Sequence, residues 1–144
     1  MAIDSATLVN AARTVRAHAH ARYSNYFVGA AILDDSGNIH VGCNVENASF
    51  SETSCAEANA IGAMVSSGAG KIVAIAIVGG LGDKDGSTMF ENAGEIGACT
   101  PCGGCRQRIL EFSDESTQIM LVDNDGAMQV FSIDDLLPSA FRVE

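Results

Sequence analysis

The spacing of apolar residues alternates along the chain between a helical period and short continuous runs, which predicts an α/β fold. Positions 8, 11, 12, 15 and 19 are apolar at helical spacing, so a helix capped by Asp4 or Ser5 should run to about Ala21. The unbroken run at 72–78, rich in Ile and Val, is typical of a central buried strand. Turn residues at 34–38 join two shorter runs into a predicted hairpin.

Two further helices are predicted to begin beside cysteines. Ser54 opens the first of them, and the glycine-containing stretch at 67–70 closes it. Thr100 caps the second, with Pro101 at its first position, and Ser132 caps a short last helix. Beyond the first helix, the predicted elements are helices at 54–66, 101–112 and 133–137 and strands at 28–33, 39–43, 72–78, 118–122 and 127–131.

This order of elements, αββαβαββα, predicts a three-layer α-β-α sandwich in which one mixed five-stranded sheet has helices on its faces. No internal repeat or linker interrupts the pattern, so residues 1–144 are expected to form a single domain. Residues 79–98 are rich in Gly and acidic side chains and show little periodicity. We therefore expect a long loop there, and long ordered loops are often functional.

Composition and charge argue against several classes of partner. The chain is 47% hydrophobic and 18% charged, which is typical of a globular protein. Its formal net charge of −10 argues against binding to nucleic acid. The apolar runs are too short to span a membrane, and residues 1–10 lack the pattern of a signal peptide. Five cysteines, an odd number, favour reduced thiols and metal binding over disulfides, and hence a cytoplasmic location.

Three cysteines and one carboxylate form the candidate chemical site. Cys55 stands at the start of the second predicted helix, and Cys102 and Cys105 share one face of the first turn of the third. Thiolates are zinc ligands, and helix N-termini stabilise them. We therefore expect the two helix starts to meet and hold one Zn²⁺, whose fourth tetrahedral position would take a water. Glu57 would face that water, whose pKa zinc lowers to roughly 7.

Two other interpretations stay open at this point. Ser54 and Glu57 also fit a capping box, in which the carboxylate of Glu57 only accepts from the N–H of Ser54. Alternatively, four thiolates could close the metal site, with Cys99 or Cys43 as the fourth ligand.

The segment Cys-Ala-Glu at 55–57, together with Pro-Cys-Gly-Gly-Cys-Arg-Gln at 101–107, resembles the zinc-dependent cytidine deaminases. The resemblance covers nearly the whole chain, through further segments at 23–31, 42–49 and 136–141. The three-cysteine form is similar to the small, homotetrameric branch of the family. A cytidine-deaminase-like fold and a homotetramer are thus what the resemblance implies.

The resemblance also implies roles for individual residues. The implied zinc ligands are Cys55, Cys102 and Cys105, and the implied proton shuttle is Glu57. The implied substrate contacts are Asn44 and Glu46 at the ribose, Tyr26 against the pyrimidine ring, the backbone of Ala56 against the base, and Phe141 of a neighbouring subunit closing the base pocket. Tyr26 stands where the family usually has Phe.

The implied activity is the hydrolytic deamination of cytidine and 2′-deoxycytidine to uridine and 2′-deoxyuridine, with release of ammonia. Glu57 would take a proton from the zinc-activated water and give it to the ring nitrogen beside the amino-bearing carbon, and it would then protonate the leaving amine. Two alternatives stay open. One is a deaminase of a modified pyrimidine nucleoside or a blasticidin-S-like compound, and the other is a non-catalytic zinc-binding module.

The sequence departs from the family pattern in its charge and in one connection. Ala58 stands where the small deaminases usually have an Arg whose charge moderates the thiolate cluster. Helix dipoles and Arg106 or Arg108 are the candidates to compensate for it. The acidic segment at 79–98 is longer than the usual connection, so we expect it to roof the pocket and alter the choice of substrate.

Overall fold

The computed structural model describes residues 2–82, 99–122 and 126–143. Its helices are α1 (Ser5–Arg16), α2 (Ala56–Ser66), α3 (Gly103–Glu111) and α4 (Ile133–Leu136), with a 3₁₀ turn at Phe50–Glu52. Its strands are β1 (Tyr26–Asp34), β2 (Ile39–Cys43), β3 (Ile72–Leu81), β4 (Gln118–Val122) and β5 (Met128–Phe131). The predicted order of elements is therefore confirmed.

The described strands form one mixed sheet in the order β2-β1-β3-β4-β5. β1 pairs antiparallel with both β2 and β3, and β4 pairs antiparallel with β5. β3 and β4 are parallel, so the chain must cross over between them, and α3 lies in this crossover. The long apolar run of β3 thus occupies the centre of the sheet, as its composition predicted.

Side chains on alternate positions of the strands pack into two separate hydrophobic layers. Ala30 and Ile32 of β1 face the layer that α2, α3 and α4 cover. Ala31 and Leu33 face the opposite layer, which α1 covers. The period of two along each strand therefore feeds both faces of the sheet and confirms the three-layer sandwich.

α1 ends at Arg16, earlier than the predicted end near Ala21. The N–H of His20 donates to the carbonyl of Asn44 at 3.0 Å, and the N–H of Glu46 donates to the carbonyl of His20 at 2.8 Å. The prediction was wrong here because long-range backbone pairing satisfies these groups in place of the helix.

β3 continues to Leu81, beyond the predicted end at residue 78. Its last residues pair with the start of β1, where Tyr26 lies opposite Leu81. A Cβ on Gly79 would lie 2.6 Å from the Sγ of Cys99, so glycine at this position leaves room for that thiol. Most of the loop predicted at 79–98, from residue 83 onward, and the turn at 123–125 lie outside the described residues.

α2, the helix that begins at the candidate site, lies unusually close to the sheet. A Cβ built on Gly42 of β2 would lie 2.3 Å from the backbone N of Ala60 and 2.6 Å from the O of Ala56. Glycine at position 42 therefore sets the separation between β2 and α2. Over the ranges that are described, no helix has both the length and the apolar character needed to cross a membrane.

Candidate metal centre and active site

Two helix N-termini bring three cysteines together on one face of the sheet. Cys55 is the N-cap residue of α2, Cys102 is the N-cap residue of α3, and Cys105 lies in the first turn of α3. Their Sγ atoms all lie within 4.8 Å of one another. The predicted meeting of the two helix starts is thus present, although α3 begins at Gly103 rather than at Pro101.

The spacing and chemistry of these sulfurs fit zinc. Zn–S bonds of about 2.3 Å place tetrahedral ligand sulfurs about 3.8 Å apart, and the observed separations of up to 4.8 Å need only a small contraction. Free N–H groups at both helix starts stabilise thiolates. The hydrogen bond between Cys55 and Cys105 lowers the pKa of Cys55 and raises that of Cys105, so this pair readily loses its first proton. Metal binding would then displace the second proton.

The capping-box interpretation does not fit the structure. The N-cap of α2 is Cys55 and not Ser54, and the cap has no side-chain hydrogen bond. The hydroxyl of Ser54 instead accepts from Nδ2 of Asn59 at 3.1 Å. Glu57 is therefore available for chemistry at the cavity.

The four-thiolate alternative also lacks support among the residues that are described. The sulfur cluster there contains neither Cys43 nor Cys99. Cys99 instead contacts the hydroxyl of Tyr26, and this hydrogen bond, together with the larger effect of burial, raises the pKa of Tyr26. Three cysteine ligands leave one tetrahedral position for water, which is the arrangement of catalytic zinc sites.

Glu57 is the second residue of α2 and is almost fully buried, with 5% of its surface exposed. Burial raises the pKa of its carboxyl group, and a hydrogen bond with Cys105 acts in the opposite direction with smaller effect. A carboxyl group whose pKa is raised above its ordinary value is a stronger base and accepts a proton more readily. The position and the environment of Glu57 thus suit a proton carrier beside the sulfur cluster.

A cavity of about 300 Å³ opens over the cluster and brings most of the predicted site residues together. Its lining includes the predicted residues Tyr26, Asn44, Glu46, Cys55, Ala56, Glu57 and Cys102. Phe141 lies elsewhere, 72% exposed, beside a separate cleft that Gln107 and Arg142 also line. Within one subunit, therefore, Phe141 is not part of the cavity over the cysteines.

Asn44 and Glu46 face this cavity while also bonding to the backbone of β1 and of the segment before it. Oδ1 of Asn44 accepts from the N–H of Val28 at 2.8 Å, and its Nδ2 donates to the carbonyl of Tyr26 at 2.9 Å. Glu46 accepts from the N–H and hydroxyl of Ser24 and from the N–H of Tyr23. Burial acts to raise the pKa of Glu46, but these hydrogen bonds outweigh it and lower the pKa.

Sequence reasoning missed several residues of the cavity wall. Ser24, Thr53 and Thr100 line it, and Cys99 lies in its wall rather than on the metal. Thr53 and Thr100 each precede a ligand cysteine by two residues, and this proximity is the signal that could have identified them. Ser24 is far from the cysteines in sequence, and it binds the carboxylate of Glu46, which lines the same cavity.

An α/β sandwich with three thiols at two helix starts and a buried carboxylate beside them defines a metalloenzyme with an open thiolate zinc site. Residues 3–121 match the family model described as the cytidine and deoxycytidylate deaminase zinc-binding region. A cytidine deaminase from Sporosarcina psychrophila is 35% identical over 142 residues, which is 99% of this chain and 94% of that protein.

Solved structures agree with the match in sequence. The crystal structure of cytidine deaminase from Burkholderia pseudomallei has a TM-score of 0.82 and 36% identity, covering 96% of this chain and 100% of that chain. The cytidine deaminase from Mycobacterium tuberculosis has a TM-score of 0.77 and 35% identity, covering 99% of this chain and 100% of that chain. The chain belongs to the cytidine and deoxycytidylate deaminase family.

Proposed function

We propose that residues 1–144 form one zinc-dependent deaminase domain that hydrolyses cytidine and 2′-deoxycytidine to uridine and 2′-deoxyuridine plus ammonia. One observation supports this most strongly: Cys55 and Cys102, two members of the three-sulfur cluster, line the same cavity as the buried carboxyl group of Glu57. A purely structural metal site would have no use for a buried acid beside it, since burying an ionisable group costs stability.

The three cysteines would hold Zn²⁺, which when bound activates water for attack on an electrophilic carbon. Glu57 accepts a proton from the attacking water and delivers it to N3 of the pyrimidine ring. Glu57 then takes the remaining proton from the new hydroxyl group on C4 and gives it to the amine, so that the C–N bond breaks, the C4 carbonyl forms and ammonia leaves. Since Glu57 is only 5% exposed, bulk water competes poorly for these protons.

Substrate recognition in this proposal uses the hydrogen-bonding capacity that Asn44 and Glu46 have left. A side-chain amide has two N–H donors, and Asn44 uses one of them on Tyr26. A carboxylate offers about four acceptor positions, and Glu46 accepts from three groups of Tyr23 and Ser24. The remaining donor and acceptor match one sugar hydroxyl, which both accepts and donates.

The flat base would lie against Tyr26, with backbone groups of Ala56 at its edge. Both residues line the cavity beside Glu57. An aromatic ring is a suitable face for a pyrimidine, and the backbone at a helix start offers free N–H groups to its carbonyl.

We further propose a homotetramer in which Phe141 of one subunit closes the base pocket of another. Support comes from its 72% exposure, since a large apolar side chain at the surface gains stability when another subunit covers it. A cytoplasmic location is proposed as well, because all five cysteines are free thiols. Sedimentation of the wild type and of Phe141→Ala would test the assembly.

The decisive experiment is an ultraviolet deamination assay beside a metal analysis of the same preparation. We expect one zinc per chain and turnover of cytidine and 2′-deoxycytidine. If the enzyme turns over a modified nucleoside or blasticidin S and not cytidine, that compound is its substrate. Bound zinc with no ammonia from any aminated nucleoside, free base or blasticidin S would leave only a non-catalytic module.

A further inference from the structure

The guanidinium of Arg108 lies beside the thiolate cluster. Its Nη1 donates to the Sγ of Cys105 at 3.8 Å. Arg108 follows Cys105 by three residues on α3, so the two side chains share one face of the helix.

The second arginine of this helix has other partners. Nε of Arg106 donates to the carbonyl of Pro101 at 2.8 Å, and its Nη1 donates to the carbonyl of Leu136 at 2.7 Å. Its guanidinium therefore ties the start of α3 to the end of α4. Ala58, three residues after Cys55 on α2, contributes no charge. Of the two arginines on α3, Arg108 is thus the one placed to act on the sulfurs.

Charge balance gives the contact a function. Zn²⁺ with three thiolates carries one net negative charge, whereas three neutral thiols carry none. A guanidinium beside the sulfurs therefore favours the zinc-loaded state over the protonated one, and its N–H bond orients the thiolate of Cys105. We propose that Arg108 is a positioning residue that raises the zinc affinity of the cluster and supplies the charge that Ala58 does not. This proposal rests on the zinc site of the proposed function.

The test is a zinc competition titration against a chromophoric chelator. Arg108→Met should weaken zinc binding by about 10- to 100-fold, the usual effect of removing a group that supports a metal ligand. Arg108→Lys keeps the charge without the planar fork and should lose less. Arg13→Met, which removes an exposed arginine from the helix on the other face of the sheet, should bind zinc like the wild type.

Two further measurements distinguish a charge effect from a structural one. Because Arg108 is exposed, salt should screen its charge. The difference in zinc affinity between wild type and Arg108→Met should therefore become smaller at about 1 M salt. The double variant Arg108→Met/Ala58→Arg should recover zinc affinity, because residue 58 relates to Cys55 as residue 108 relates to Cys105. Circular dichroism checks that each variant is folded. If Arg108→Met does not fold, Arg108→Lys takes its place in the zinc titration.

Wild-type zinc affinity in Arg108→Met would overturn this inference, and so would a loss that neither salt nor Ala58→Arg changes. Either result would leave the proposed function intact if the wild type still binds one zinc and deaminates cytidine. A wild type that binds no zinc would instead remove the proposed function itself.

Discussion

Replacing Glu57 by Gln is the most direct test of the proton-carrier role. Glutamine keeps the size and the polar end of the side chain but cannot carry a proton between water and substrate. Glu46 also lines the cavity, yet its carboxylate already accepts from Tyr23 and Ser24, and hydrogen bonds hold its pKa low. No second acid of the described cavity is therefore suited to replace Glu57.

The expected loss follows from how buried the group is. General acid–base catalysis contributes about 100- to 10,000-fold to a rate, which corresponds to about 3 to 5 kcal/mol of barrier at 1.36 kcal/mol per tenfold. With 5% of Glu57 exposed, water reaches its position poorly, so we expect a loss of kcat toward the upper end of this range. KM should change less, because Glu57 acts in the transition state rather than in uniform binding.

In the zinc-free protein, Glu57→Gln should not lower the stability of the fold, although it lowers kcat. Burial raises the pKa of Glu57 above its ordinary value of 4.5, so the folded state holds this proton more tightly than the unfolded chain does. Wild-type stability therefore falls as the pH rises from about 4.5 through the raised pKa, whereas the variant has no such slope from this position. Glu57→Gln should match or exceed the wild type in thermal unfolding at pH 7.

The assay is steady-state loss of cytidine absorbance, with zinc measured in each preparation and Glu115→Gln, an exposed carboxylate replaced in the same way, as the control. The variant should hold one zinc per chain and turn over at least 100 times more slowly. Turnover within a few fold of the wild type, at equal zinc content, would refute the assignment of Glu57.

Three further outcomes are expected. Cys99→Ser should keep its zinc and Cys55→Ser should lose it, by metal analysis after dialysis, since only the latter removes a sulfur of the cluster; loss in both would restore the four-thiolate site. Asp34→Asn should lower the free energy of unfolding at pH 7 by about 1.5–3 kcal/mol, because Asp34 is 1% exposed and accepts from His40 and two backbone N–H groups. The pKa of Asp34 is lowered, chiefly by His40, so its contribution to the free energy of unfolding is present above the ordinary pKa near 4 and is lost as the pH falls below that value. A difference in unfolding free energy between wild type and Asp34→Asn that stays constant in acid would contradict this. Gly42→Ala should cost about 1–3 kcal/mol in urea unfolding, because its Cβ would meet the α2 backbone at 2.3 Å, whereas Gly62→Ala meets nothing within 4 Å and should stabilise.

The elements with a strong period were predictable from the sequence, and the errors lie where long-range pairing decides. β3 has an apolar run that identified it, but its extension through Gly79 and Gly80 depends on β1 lying alongside. Glycines suggested a loop because isolated strands gain little from them. Inside the sheet, the absence of a side chain at Gly79 is what makes room for Cys99. Gly79 therefore suggests a loop when only its sequence neighbours are considered, whereas in the fold it allows Cys99 to pack closely against β3.

The metal cluster was predictable because its chemistry restricts it to few residue types at fixed spacing. Cys102 and Cys105 are three residues apart, and Cys55 could be joined to them by the expectation that the two helix starts meet around one metal ion. The choice between Arg106 and Arg108 as the compensating charge was not predictable. Each lies within one turn of Cys105, and only the carbonyls that hold Arg106 show that Arg108 is the one beside the sulfur.

The double use of Asn44 and Glu46 has a consequence for how the pocket works. Asn44 fixes the start of β1 and Glu46 fixes the residues just before it, so the segment that presents Tyr26 is held by the same groups proposed to bind the sugar. Each of these side chains is thereby locked before substrate arrives, and little conformational entropy remains to be lost on binding. The stretch at 44–53, which contains both side chains, has no predicted helix or strand. Its order comes from hydrogen bonds to distant backbone, and local periodicity contains no record of those.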